Sequence, residues 1–170
     1  MKKLISVITL AMIAMTLTNG QEGDGSLLKV GDKAPLFTAT TIDGKVIDLT
    51  TMKNKVIMIT FFATWCGPCN LELPVLEKNV WNKYRDNSNF VLVVMGREHD
   101  AQTLKDFAAS KNLNLPFAPD VKREVFAKYA EKNIPRNVII GKDGKIAWQS
   151  TGYTEEEFSK LEQTLATLLK

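Results

Sequence analysis

The chain holds two cysteines, Cys66 and Cys69, in the run Trp65-Cys66-Gly67-Pro68-Cys69. Two sulfurs at this spacing can be joined and separated, which stores and releases an electron pair. Three readings of the pair compete. A bridge between them closes so small a loop that it restricts the unfolded chain very little, which makes it a poor structural staple. A zinc site takes about four ligands, and beyond the two sulfurs the chain offers a single histidine, His99. The third reading, thiol–disulfide exchange, requires a reactive thiolate. An apolar run ends just before the pair and a helical pattern follows it, so Cys66 falls at a helix start. Unpaired N–H groups and the positive end of the helix dipole stabilise a thiolate there. Pro68 suits a first helical turn and Gly67 leaves room for a partner chain. Cys69, one turn further in, can attack the mixed disulfide that Cys66 makes.

Those positions depend on the elements around them. Residues 55–62, Lys-Val-Ile-Met-Ile-Thr-Phe-Phe, read as a strand buried on both faces, and residues 90–95 as a second. Residues 70–85 read as the helix between them. Residues 30–37 form a turn-rich lead-in, and short strands at 38–42 and 46–49 flank the Asp43-Gly44 hairpin signal. Asp100 is placed to cap a helix reaching 110, and Asp120 to cap one over 121–130, where Val121, Val125, Phe126 and Tyr129 share a face. Strands at 137–140 and 146–149 surround a turn, and Thr154 and Glu157 are spaced as a capping box for a last helix to 170. The pattern predicts an α/β fold with a central mixed β-sheet flanked by helices. Catalytic groups in such sheets gather where strands end and helices begin, here between Phe62 and Asn70.

The amino terminus reads differently. Lys2 and Lys3 precede an apolar run at 4–17, and Thr18, Asn19 and Gly20 follow it. This predicts a secretory signal at 1–20, a polar linker at 21–29 and one domain at 30–170. The other reading is an uncleaved anchor, although a span takes ~20 apolar residues. An exported domain stapled by disulfides would scatter several cysteine pairs, so one close pair again points to chemistry. With 22 Lys and Arg against 19 Asp and Glu and no basic stripe, nucleic acid is not an expected partner.

Around the cysteines the sequence resembles the thioredoxins, whose motif is Trp-Cys-Gly-Pro-Cys. More closely it resembles the TlpA-like branch of that superfamily, exported or membrane-tethered thiol–disulfide oxidoreductases related to the peroxiredoxin and redoxin group. The likeness covers residues 30–169. It rests on Val30-Gly31-Asp32-Lys33-Ala34-Pro35-Leu36-Phe37 with the Asp43-Gly44 hairpin, on residues 61–74, and on Asn133-Ile134-Pro135 leading into Val138-Ile139-Ile140 and Asp143-Gly144. It implies a thioredoxin fold with an N-terminal β-hairpin extension, and neither cofactor nor metal. It also implies that Trp65, Gly67, Pro68, Ile134 and Pro135 contact the substrate chain. The Ile134–Pro135 bond would be cis and close to Cys66, with the Ile134 backbone pairing with an extended substrate segment.

Thioredoxins hold a buried aspartate six residues before the first cysteine, where this chain has Thr60. TlpA-like proteins instead place a glutamate three residues after the second cysteine, and Glu72 stands there. Residues three apart on a helix are neighbours, so Glu72 can face Cys69. A helical wheel centres its apolar stripe on Cys69, Leu73, Leu76 and Val80 and leaves Glu72 at the edge. Partly buried there, its carboxyl would have a raised pKa and could shuttle the Cys69 proton; the alternative is a solvated surface carboxylate. Pro74 is expected to kink the helix rather than end it early. Arg136 replaces the threonine that often follows the family's proline. It reads as a solvated charge, the alternative being a charge that selects acidic or thiolate-bearing partners. Arg97-Glu98-His99-Asp100 reads as a polar surface loop without a catalytic role, since the nucleophile already has its activating helix end.

These readings predict an enzyme exported to the periplasm or cell envelope, membrane-tethered if its signal is uncut, exchanging disulfides through Cys66 and Cys69. A Gly-Pro centre resembles reducing thioredoxins more than strong oxidants, so the direction expected is reduction. The resemblance implies clients among exported proteins with disulfides or thiols, such as apocytochromes, and a membrane electron-shuttling thiol protein as donor. Two rivals stand beside it. A thiol peroxidase would carry a Pro-x-x-x-Thr-x-x-Cys pattern, whereas here Thr64 lies two residues before Cys66 with no matching proline. A non-catalytic thioredoxin-like binding module would treat the cysteines as incidental.

Overall fold

The central strand β3, Val56–Phe62, is buried along its whole length. Alternate residues of a pleated strand face opposite ways. Met58, Thr60 and Phe62 therefore look into one layer, and Ile57, Ile59 and Phe61 into the other. The computed structural model describes residues 23–170, so the signal expected at 1–20 lies outside the described residues.

In chain order the elements are β1 Thr38–Thr40, β2 Val46–Asp48, β3, α1 Gly67–Leu76, a π turn Glu77–Trp81, α2 Asn82–Tyr84, β4 Phe90–Arg97, α3 Ala101–Lys111, β5 Phe117–Asp120, α4 Phe126–Tyr129, β6 Arg136–Ile140, β7 Ile146–Thr151 and α5 Glu155–Leu168. The main sheet runs β5-β4-β3-β6-β7. β3, β4 and β5 are parallel, while β6 and β7 run antiparallel to their neighbours. β1 and β2 form a separate hairpin closed near Asp43-Gly44, where Gly44 takes the left-handed conformation at φ 90°.

Two apolar layers cover the sheet. Leu73 and Leu76 of α1, Leu104 and Phe107 of α3 and Leu161 and Leu165 of α5 pack on one face, against Met58, Leu92 and Ile139. Phe37 and Ile47 from the amino-terminal region, with Phe126 and Tyr129 of α4, pack on the other. Residues 24–28 lie along this second layer, with the Leu27 N–H donating to the Tyr129 carbonyl at 3.0 Å. The expected caps are present: the Asp100 carboxylate accepts from the Thr103 N–H at 2.8 Å, and Thr154 Oγ1 from the Glu157 N–H at 3.1 Å.

Two local readings are corrected. β5 has no counterpart in the sequence reading, and Pro119 lies inside it. At a sheet edge its missing N–H costs little, and β4 alone pairs with it. The helix expected over 121–130 shrinks to Phe126–Tyr129. Asp120 still caps it, but its carboxylate accepts from the Val125 and Phe126 N–H groups at 3.1 and 2.8 Å, which holds the intervening residues in a turn and leaves Val121 exposed. Helical structure runs on past Pro74, through the π turn, to Tyr84, in line with the helix expected over 70–85.

Candidate active site

Cys66 is the N-cap of α1, in extended conformation, and its Sγ accepts from the Cys69 N–H at 3.3 Å. The two cysteines are joined as a disulfide with their Cα atoms 5.3 Å apart. Both are buried, Cys66 at 5 % exposure and Cys69 at 0 %. Gly67 and Pro68 are exposed above the pair, and a Cβ built on Gly67 meets nothing within 4 Å, so a chain can approach there. Trp65 stands out at 64 % exposure. Its ring lies beneath the Arg97 guanidinium, 5.5 Å from centroid to Cζ, a cation–π contact. The Ile134–Pro135 bond is cis. Ile134 packs against the core cluster that contains both cysteines.

Glu72 is not at the edge of a stripe. It is 1 % exposed, inside the layer between α1 and the sheet. Thr60 and Asn137 are direct partners across β3 and β6, and both point into that layer. The Thr60 hydroxyl donates to Asn137 Oδ1 at 2.7 Å, and Asn137 Nδ2 donates to Glu72 Oε1. Glu72 Oε2 is buried without a hydrogen-bond partner among the described residues. Burial disfavours the carboxylate more strongly than the Asn137 bond favours it, and the pKa is raised to about 7. A carboxyl of that affinity, one helical turn from Cys69, can accept and return a proton near neutrality. Sequence reading missed Asn137. The available signal was the alternation of 136–140, which sends Asn137 to the same face as Ile139, together with a facing hydroxyl on β3.

Two further expectations are corrected. Arg136 is not solvated; it is 0 % exposed. As the neighbour of Asn137 on a strand it points through the opposite face, away from the cysteines, so it also cannot select a partner there. Its guanidinium donates to Ser26 Oγ at 2.5 Å and to the Asp24 carbonyl at 2.6 Å, and it lies 3.6 Å from the Asp24 carboxylate. His99 is likewise off the surface, at 9 % exposure. The chain turns back after β4, with Glu98 at φ 66° and the His99 N–H donating to the Gly96 carbonyl at 3.2 Å. That turn brings His99 Nε2 to the Thr64 N–H, from which it accepts at 2.9 Å.

Comparison with known proteins agrees with this geometry. The Redoxin family profile matches residues 29–165. The thiol–disulfide oxidoreductase ResA of Bacillus anthracis is 29 % identical over 154 residues, covering 91 % of this chain and 88 % of the relative. A Bacteroides thetaiotaomicron protein, described as a candidate protein disulfide isomerase, superposes with a TM-score of 0.81 at 39 % identity over 85 % of this chain and 92 % of that one. A candidate thiol:disulfide interchange protein DsbE from Chlorobium tepidum gives 0.74 at 28 % identity, over 84 % and 99 %. The chain belongs to the Redoxin family, and its Cys66–Cys69 pair is the dithiol–disulfide centre of a thiol–disulfide oxidoreductase.

Proposed function

We propose that this protein works in the cell envelope as a reductant of exported protein disulfides, with Glu72 as the proton carrier of the resolving step. In the reduced form the Cys66 thiolate attacks a client disulfide, making a mixed disulfide and releasing one client thiolate. Glu72 takes the proton of Cys69. The new Cys69 thiolate attacks Cys66 Sγ and displaces the second client thiolate, which becomes protonated. The client disulfide gains the electron pair and the enzyme is left with the Cys66–Cys69 disulfide. A membrane thiol protein returns it to the dithiol.

The observation that carries the reading is a buried carboxyl with one oxygen tied to Asn137 and the other free, one turn from Cys69. Trp65, Gly67, Pro68 and the Ile134–Pro135 segment form the client's contact surface, with extended backbone laid along Ile134. The Gly-Pro centre supports the reducing direction, and the basic and apolar residues at 1–17 support export. Among the described residues no helix is long and apolar enough to cross a membrane. Apocytochromes awaiting haem attachment are the client class proposed.

A Cys69→Ala form expressed in cells tests the reading. Attack by Cys66 without resolution traps clients as mixed disulfides, which mass spectrometry identifies. Trapped exported thiol proteins support the proposal, whereas a form that traps nothing argues against it.

A further inference from the structure

We propose that His99, as a neutral imidazole, is a positioning residue that holds the Thr64 backbone and thereby sets Cys66 over the start of α1. The inference rests on Cys66 being the attacking thiol. Thr64 is held at both ends: its N–H donates to His99 Nε2 at 2.9 Å, and its carbonyl accepts from Asn70 Nδ2 at 3.0 Å. The turn then closes with the Cys66 N–H donating to the Ala63 carbonyl at 3.1 Å. Only Trp65 separates the held residue from the sulfur, and its exposed ring meets Arg97 from the same β4–α3 corner. One corner of the fold therefore contacts two successive residues before the nucleophile. The Cys66 Sγ contact with the Cys69 N–H, and its place at the helix mouth, depend on where that turn sits.

An acceptor nitrogen carries no proton, so the hydrogen of this imidazole is on Nδ1. Protonating Nε2 would set one donor against another and release Thr64. The surroundings oppose this. Burial and Arg97 disfavour the imidazolium, Asp100 and Glu98 favour it, and the balance lies below the ordinary histidine range. From the β3–α1 side the ring meets Phe62 and the Thr64 N–H. On β5, Asp120 stands across from Arg97, and its carboxylate is engaged by the Val125 and Phe126 N–H groups.

The test compares the reduced parent with His99→Ala and His99→Gln. Cys66 ionisation is followed by thiolate absorbance, and exchange with a small aromatic disulfide is followed across pH. His99→Ala, with the acceptor gone, should raise the Cys66 midpoint and slow exchange roughly three- to tenfold, the worth of one lost hydrogen bond. His99→Gln, which can offer an amide oxygen to the same N–H but does not titrate, should recover most of that loss and lack the parent's additional fall in acid. Nitrogen NMR of the parent should show His99 Nε2 unprotonated; this readout holds even if the alanine form fails to fold. An alanine form with the parent's midpoint and rate, a glutamine form as impaired as alanine, or a ring protonated at Nε2 would each overturn the proposal. A parent whose Cys66 neither ionises nor exchanges would overturn the exchange reading and this inference together.

Discussion

Arg136 and Asn137 are neighbours on β6 and send their side chains through opposite faces of the sheet. Both are buried and both meet a carboxylate, yet the two regions do different work. On one face a permanent guanidinium charge is tied to Ser26 and Asp24 and anchors the amino-terminal segment. On the other, the Thr60 hydroxyl holds the Asn137 amide, which donates to a carboxyl whose pKa burial raises to about 7. A charge that never titrates and is spent on Ser26 and Asp24 holds structure here. A carboxyl kept half-ready by burial can move a proton.

The contrast can be broken in four places. Cys66→Ser should abolish exchange altogether, measured with any disulfide substrate, while leaving the fold intact. Glu72→Gln should slow exchange by about a hundredfold near neutral pH, the usual worth of a placed acid–base group. An unchanged pH–rate profile would remove Glu72 from the mechanism. The same substitution should act oppositely on stability. The carboxyl binds its proton more tightly in the folded chain, at about 7 against an ordinary 4.5. Its contribution therefore falls as pH rises between those values and stays low above them. Above neutrality Glu72→Gln should gain roughly 2–3 kcal/mol over the parent in chemical denaturation, a difference that shrinks in acid.

On the opposite face, Arg136→Ala should cost about 3 kcal/mol of stability, through a cavity and the lost hydrogen bonds to Ser26 and the Asp24 carbonyl, without moving the Cys66 titration. A shift in that titration would erase the division of labour between the faces. The smallest effect is expected at Thr60→Val. Loss of the hydroxyl frees the Asn137 amide to turn, which should raise the Glu72 midpoint by less than about one unit and cost about 1 kcal/mol.

How much of this was legible in the sequence depends on how local the cause is. The helix start at Cys66 and the buried strand before it follow from runs of adjacent residues, and both were readable. The burial of Glu72, Arg136 and His99 depends on what lies across from them. Glu72 was placed at a stripe edge because a helical wheel sees one helix, and the sheet supplies the other wall. Arg136 was read as solvated because its counterpart, Asp24, lies 112 residues away in a segment expected to be a linker. His99 was read as surface because four polar residues in a row look like an open loop. β5 depends on β4 beside it, and Pro119 is tolerated there because its missing N–H costs little at a sheet edge.

The unequal exposure of the two sulfurs has a consequence for what the enzyme avoids. An incoming oxidant or thiol reaches Cys66 through its narrow 5 % opening and finds Cys69 at 0 % exposure. A second outside molecule cannot modify the inner sulfur while the first occupies the outer one. Dead-end products carrying two adducts are sterically closed off, and the occupied enzyme has one way forward, which is to expel its guest from within.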